Sequence, residues 1–154
     1  MKLTKYVLSV VLLLLFIYAI GPRHRPPVYD NTPLNQRIAV HAIQDSLEIL
    51  NKAVTNLKPA NEAEIVWAYD SSQITDFCFV YLPGFGASKG EAEPLHRQLA
   101  KRYQQNLFLA RLEKQGIIEA EPFIELSEKK LVESAKEAVR FGKSFGKKVI
   151  ILST

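Results

Sequence analysis

The sequence predicts an α/β domain with a mainly parallel sheet of about four strands, preceded by a transmembrane helix and an amphipathic helix. Three observations carry that expectation. Residues 3–20 are almost wholly apolar. Short β-branched and aromatic runs alternate with helix-like segments from residue 64 onward. Between these two regions, apolar residues recur every three or four positions, the period of one helical face.

From Tyr6 to Ile20 only Ser9 interrupts the apolar character. As a helix, residues 3–20 would rise about 27 Å, close to the roughly 30 Å of a bilayer core. Tyr6 and Tyr18 lie near its ends, where aromatic rings favour the headgroup region. A cleaved signal peptide is the rival reading. It needs small residues before the cut, which Ala19-Ile20-Gly21 supplies weakly, and Pro22 would follow the bond. A retained signal-anchor over residues 1–21 is therefore preferred, with the amino terminus cytoplasmic and the remaining chain exported.

Residues 22–33 carry Pro22, Pro26, Pro27 and Pro33 and read as a stiff, extended linker. Thr32-Pro33 suits a helix start. Leu34, Ile38, Ile43, Leu47, Leu50, Val54 and Leu57 then form one stripe, giving an amphipathic helix over 34–58. His41 lies off the stripe and reads as a solvated residue. A domain over 59–154 follows.

Its first strand is "EIVWAY" (Glu64–Tyr69), closed by the turn-like "DSSQ". The second is "FCFVYL" (Phe77–Leu82), the third "NLFLARL" (Asn106–Leu112), the fourth "VIIL" (Val149–Leu152). "EAEPLHRQLAKRY" reads as a helix, as does the segment from Ser127, with Ser127 as N-cap. Leu131, Ala135, Ala138 and Val139 would be its buried face, and Gly142 and Gly146 would mark its end. Alternating strands and helices mean βαβ units and a mainly parallel sheet.

The formal charge is +4. Lys2, Lys5, Arg23 and Arg25, which flank the apolar segment, account for all of it, so the rest of the chain is neutral. No basic patch with interleaved aromatics occurs elsewhere, which argues against a nucleic-acid partner. Cys78, the single cysteine, allows no intrachain disulfide and no cysteine-rich metal site. Within its strand it reads as a small buried hydrophobe.

In an open α/β sheet, ligands meet the carboxyl ends of the strands. The Gly-rich "YLPGFGASKGEAEP" stands there. "VYLPGFGAS", a helix, "LFLARL", a helix and "VIILST" together resemble the amino-terminal half of an α/β-hydrolase, over roughly residues 64–154. In that family the loop after the second of these strands supplies an oxyanion-hole N–H, and the last ends in a small-x-Ser-x-Gly elbow. The resemblance implies that Gly84 is the loop glycine and that the Phe85 N–H faces the oxyanion, with Pro83 standing where the family usually has His. It also implies that Ser153 and Thr154 begin the elbow and that the nucleophile would be the residue after Thr154. The four strands would lie first-third-second-fourth across the sheet, leaving "VIIL" as an edge open to self-association. The expected parent activity is serine-dependent hydrolysis of small carboxylic esters, without cofactor or metal.

Within these residues the catalytic triad is incomplete. Ser153 as nucleophile would need a His base and an orienting carboxylate, both of which follow the elbow in this family. His96 reads as a cap or surface residue, and Asp70 and Asp76 as turn residues. The chain as given is expected to be catalytically silent. Two alternatives remain open. Gly84-x-Gly86-x-x-x-Gly90, with Glu113 after the next strand, would suit a dinucleotide-binding oxidoreductase domain, though Glu91 and Glu93 would repel a pyrophosphate. A membrane-anchored interaction module would instead use the Leu34–Leu57 stripe, with Leu47 and Leu50 at its centre.

Overall fold

The computed structural model describes residues 2–21, 23, 27–34, 37–70 and 72–154. Pro22, His24, Arg25 and Pro26 of the expected linker, residues 35 and 36 of the expected helix, and Ser71 of the expected turn lie outside the described residues.

The apolar amino-terminal segment forms helix α1 (Lys2–Ile20), with large apolar side chains exposed from Tyr6 to Ile20. Among the described residues no helix is long and apolar enough to cross a membrane. The transmembrane helix expected over residues 3–20 is corrected accordingly. Lys5 lies within the helix, and the uncharged part beyond it, Tyr6 to Ile20, rises only about 22 Å.

The helix expected over 34–58 is also shorter than its apolar stripe. It comprises a 3-10 turn (Val40–Ala42) and α2 (Ile43–Lys52), with Ile43 and Leu47 buried. The expected start at Thr32-Pro33 fails because the Thr32 N–H bonds to the Asp30 carboxylate instead (2.9 Å), a local turn that competes with helix. Segment 27–34 has no regular structure and lies along a later helix, α4 (Glu128–Phe145). The Lys136 ammonium donates to the Asp30 carbonyl (2.7 Å), the Lys143 ammonium to that of Leu34 (2.7 Å), and the Ile38 N–H to the Ser144 hydroxyl (2.8 Å). This part of the linker is a strap fastened to the domain.

Strands β1 (Glu64–Val66), β2 (Thr75–Leu82), β3 (Asn106–Leu109) and β4 (Gly146–Ser153) form one sheet in the order β1-β3-β2-β4. That is the order implied by the resemblance. β2 pairs parallel with β3 and with β4, but β1 pairs antiparallel with β3. The sheet is therefore mixed, which corrects the mainly parallel expectation. Residues 67–74 are too few for a parallel crossover, which needs about a dozen or more. With β1 antiparallel to β3, its end and the start of β2 lie at the same end of the sheet.

Alternation along β2 sends its side chains to two cores. Cys78 and Val80 pack with Ile43, Leu47, Phe108, Ala138, Phe141 and Phe145, beneath α2 and α4. Phe79 and Tyr81 pack on the other face with Leu107, Leu109 and Ala100 of α3 (Leu95–Tyr103). The result is three layers. Phe108 stacks on Phe141 (centroids 5.1 Å apart), and Trp67 meets Phe145 edge-on (5.6 Å). Such pairs each contribute about 0.5–1.5 kcal/mol beyond their buried area.

Ser127 caps α4 as expected, its hydroxyl accepting from the Lys130 N–H (3.3 Å). Gly142, expected as an end signal, is instead a packing residue inside the helix: a Cβ there would lie 2.2 Å from Val80 Cγ2. The helix expected over "EAEPLHRQLAKRY" divides into a 3-10 turn (Lys89–Ala92) and α3, because Pro94 interrupts it.

Candidate functional site

Loop 83–88 leaves β2 where β4 ends. Leu82 pairs with Ser153 in the parallel ladder, so the tips of both strands and the Gly-rich loop meet at one place. The loop begins as a β-turn, with the Ala87 N–H donating to the Gly84 carbonyl (3.0 Å) and Gly86 at φ +78°. That conformation is open to glycine and strained for other residues. Pro83 is buried, and the buried Gln115 amide donates to the Gly84 carbonyl from outside the turn (3.2 Å).

Three donors converge on one oxygen. The Gly84 N–H, the Tyr81 hydroxyl and the Thr154 hydroxyl all donate to Glu91 Oε2, at 3.0, 3.0 and 2.6 Å. Gly84 makes the approach feasible, since a Cβ there would lie 3.2 Å from Thr154 Oγ1 and 3.3 Å from both Glu91 carboxylate oxygens. The Thr154 hydroxyl, then the Gly84 amide and the Tyr81 hydroxyl, hold the Glu91 carboxyl below its ordinary range against some desolvation. Burial pushes the Tyr81 phenol up, and the Glu91 carboxylate adds to that shift.

The surroundings fix this group of donors. Tyr81 is 1% exposed and meets His96 edge-on (5.0 Å). His96 is also buried, with Nε2 bonded to the Lys89 carbonyl (2.8 Å) and Nδ1 without a partner. It was expected to be a cap or surface residue. The Pro94 break turns it inward, where it joins the Lys89 turn to α3. Glu64 of β1 accepts from Lys89 (2.7 Å) and from both terminal nitrogens of Arg97 (3.1 and 2.9 Å). Burial tends to raise the Glu64 carboxyl, but these cations outweigh it and the net shift is downward. The antiparallel turn of β1 is what brings Glu64 to this end of the sheet.

The residues singled out from sequence have different places here. Gly84 is a donor. Thr154 donates through its side chain, a role that backbone-based reasoning had not assigned it. Phe85 is exposed, its ring 4.7 Å from that of Phe123, and its N–H has no acceptor among the described residues. Ser153 is exposed beside the loop. Neither nitrogen of His96 engages its hydroxyl. Asp76 is paired with Lys147 (2.7 Å), Asp70 is exposed, and His41 is exposed as expected. Glu113 is half-buried, and its backbone N–H donates to the Ser134 hydroxyl (3.1 Å). Helix α3 begins at Leu95, well beyond Gly90, so the glycine loop opens onto a four-residue 3-10 turn and not onto an α-helix.

Sequence reasoning missed Glu91 as an acceptor, noting it only as a charge that would repel phosphate. Tyr81 was hidden inside a strand run, and nothing in the sequence around Gln115 signals its hold on the loop. Among the described residues, no three His, Cys, Asp or Glu side chains gather so that they could hold a metal ion. Comparisons with family models, with curated proteins and with solved structures find no match to this chain.

Proposed function

We propose that these residues form the amino-terminal, oxyanion-binding part of a membrane-attached serine hydrolase acting on carboxylic esters. One observation carries the reading: the order β1-β3-β2-β4 sets Ser153, at the tip of β4, directly beside the Gly84 loop. A serine following Thr154 would emerge next to donors already directed at a single oxygen. In ester hydrolysis the carbonyl oxygen becomes an alkoxide in the tetrahedral intermediate. Fixed donors stabilise it without reorganising at the moment of reaction, once the Glu91 carboxylate that fills them has swung away. Phe85, whose N–H has no acceptor among the described residues, is the further donor the loop offers. The attack itself needs a serine, a histidine base and its carboxylate partner. Residues 1–154 bring no such set together among the described residues, so this chain alone is expected to leave esters intact.

Membrane attachment belongs to the same proposal. From Tyr6 to Ile20 helix α1 is apolar but for Ser9, with its large side chains exposed, and a helix of that kind seeks lipid or a protein core. Lys5 can extend its ammonium to the headgroups while its stem stays among apolar groups.

The test compares residues 1–154 with the full chain that its source encodes. A fluorophosphonate should label a serine immediately after Thr154, while residues 1–154 alone stay unlabelled. The absence of Ser-x-Gly after Thr154, or labelling of the shorter chain at Ser153, would overturn the proposal.

A further inference from the structure

The donors around Glu91 Oε2 and the residue that fills them differ in how firmly they are held. Tyr81 is buried within a central strand and braced by His96. Gly84 is fixed at its carbonyl by its own turn and by Gln115. Thr154 directly follows β4. The positions of Tyr81 and Gly84 do not depend on Glu91, whereas exposed Thr154 is tied to it through its own hydroxyl. Glu91 itself is exposed, on a four-residue 3-10 turn next to the exposed Gly90. Two of the donors, Tyr81 and Gly84, are part of the scaffold, and the acceptor is an exposed side chain on a turn anchored at Lys89.

We infer that this is a carboxylate-binding site and that Glu91 is its intramolecular occupant, displaced when a carboxylic acid anion binds. Three donors on one oxygen suit an ionised oxygen, because hydrogen bonds to charged acceptors are the strong ones. The absent Cβ of Gly84 keeps the space that the oxygen fills. Next to Gly84 in the chain, exposed Phe85 and its neighbour Phe123 give the loop an aromatic surface. The ligand class is therefore a small carboxylic acid anion. Binding of this kind requires no nucleophile, and so stands apart from the hydrolase proposal.

The test is an acetate titration of the full chain in detergent micelles, read at the Gly84 amide. The chain has seven glycines, so selective ¹⁵N-glycine labelling gives a readable spectrum. At neutral pH the Glu91→Ala variant should show a saturable Gly84 shift with acetate, at least about tenfold tighter than any response of the unsubstituted chain. Adding Tyr81→Phe should weaken it by about tenfold, the scale of one hydrogen bond to a charged group. Glu91→Gln, which keeps the side chain's size but competes without charge, should also saturate, at higher acetate. It carries the test if Glu91→Ala does not fold. No saturable response in either folded variant, an equal response in the unsubstituted chain, or the same shift with chloride at matched ionic strength would overturn the inference.

Discussion

Two buried side chains state the residue-scale account most sharply. Cys78 is fully buried, and desolvation pushes its thiol up to about 12. Iodoacetamide at neutral pH should leave it unmodified in the folded chain and alkylate it only as denaturant unfolds the domain. Ready modification under native conditions would contradict the buried position. Asn106, fully buried at the start of β3, accepts from the Ala68 N–H (2.9 Å) and donates to the carbonyls of Gln73 (2.7 Å) and Phe145 (2.8 Å). One side chain thus joins the β1–β2 loop to the end of α4. Asn106→Ala should destabilise the domain by about 3 kcal/mol, since buried groups lose their partners. Amide exchange should rise first at Ala68. Unchanged denaturant midpoints would show that the network contributes little.

At the scale of elements, Gly142 is the clearest test. A methyl there collides with Val80 across the helix–sheet contact, so Gly142→Ala should cost about 1–3 kcal/mol, as overpacking does. Val80→Ala in the same chain should recover part of that loss, giving a coupling that denaturant unfolding would reveal. Purely additive effects would mean that α4 lies elsewhere. These contacts also explain what the sequence could disclose. The strands were legible because apolar alternation and β-branching survive in isolation, and Ser127 was legible as a cap because its signal is local. The direction of β1 was not, since it depends on the brevity of residues 67–74 relative to the neighbouring β3. Helix α2 fell short of its stripe because Asp30 and α4 capture the chain before residue 38. The Glu91 cradle was illegible because Tyr81, Gly84, Glu91 and Thr154 meet only once β4 pairs with β2.

On the scale of the whole molecule, the sheet ends in β4, an edge whose Ile151 is 51% exposed. Lys147 and Lys148 guard only its start. An open apolar edge recruits other strands. A domain lacking residues 1–27 should therefore self-associate in sedimentation velocity, and Ile151→Lys should shift it toward monomer; a monomeric parent domain would count against an open edge. The same assembly of strands brings the Gly84 loop, the tip of β4 and Glu91 together, and the proposed site exists only where they meet. Its electrostatic sign is definite. The folded Glu91 carboxyl titrates below its ordinary 4.5, so its contacts are present above that pH and are lost as pH falls through the lower folded value. The most direct measurement is the pH dependence of the Gly84 amide proton in the ¹⁵N-glycine-labelled chain. It should lie downfield at neutral pH and move upfield in one step, with a midpoint below 4.5 that disappears in Glu91→Gln. A Gly84 amide that does not titrate, or that titrates identically in Glu91→Gln, would contradict the cradle.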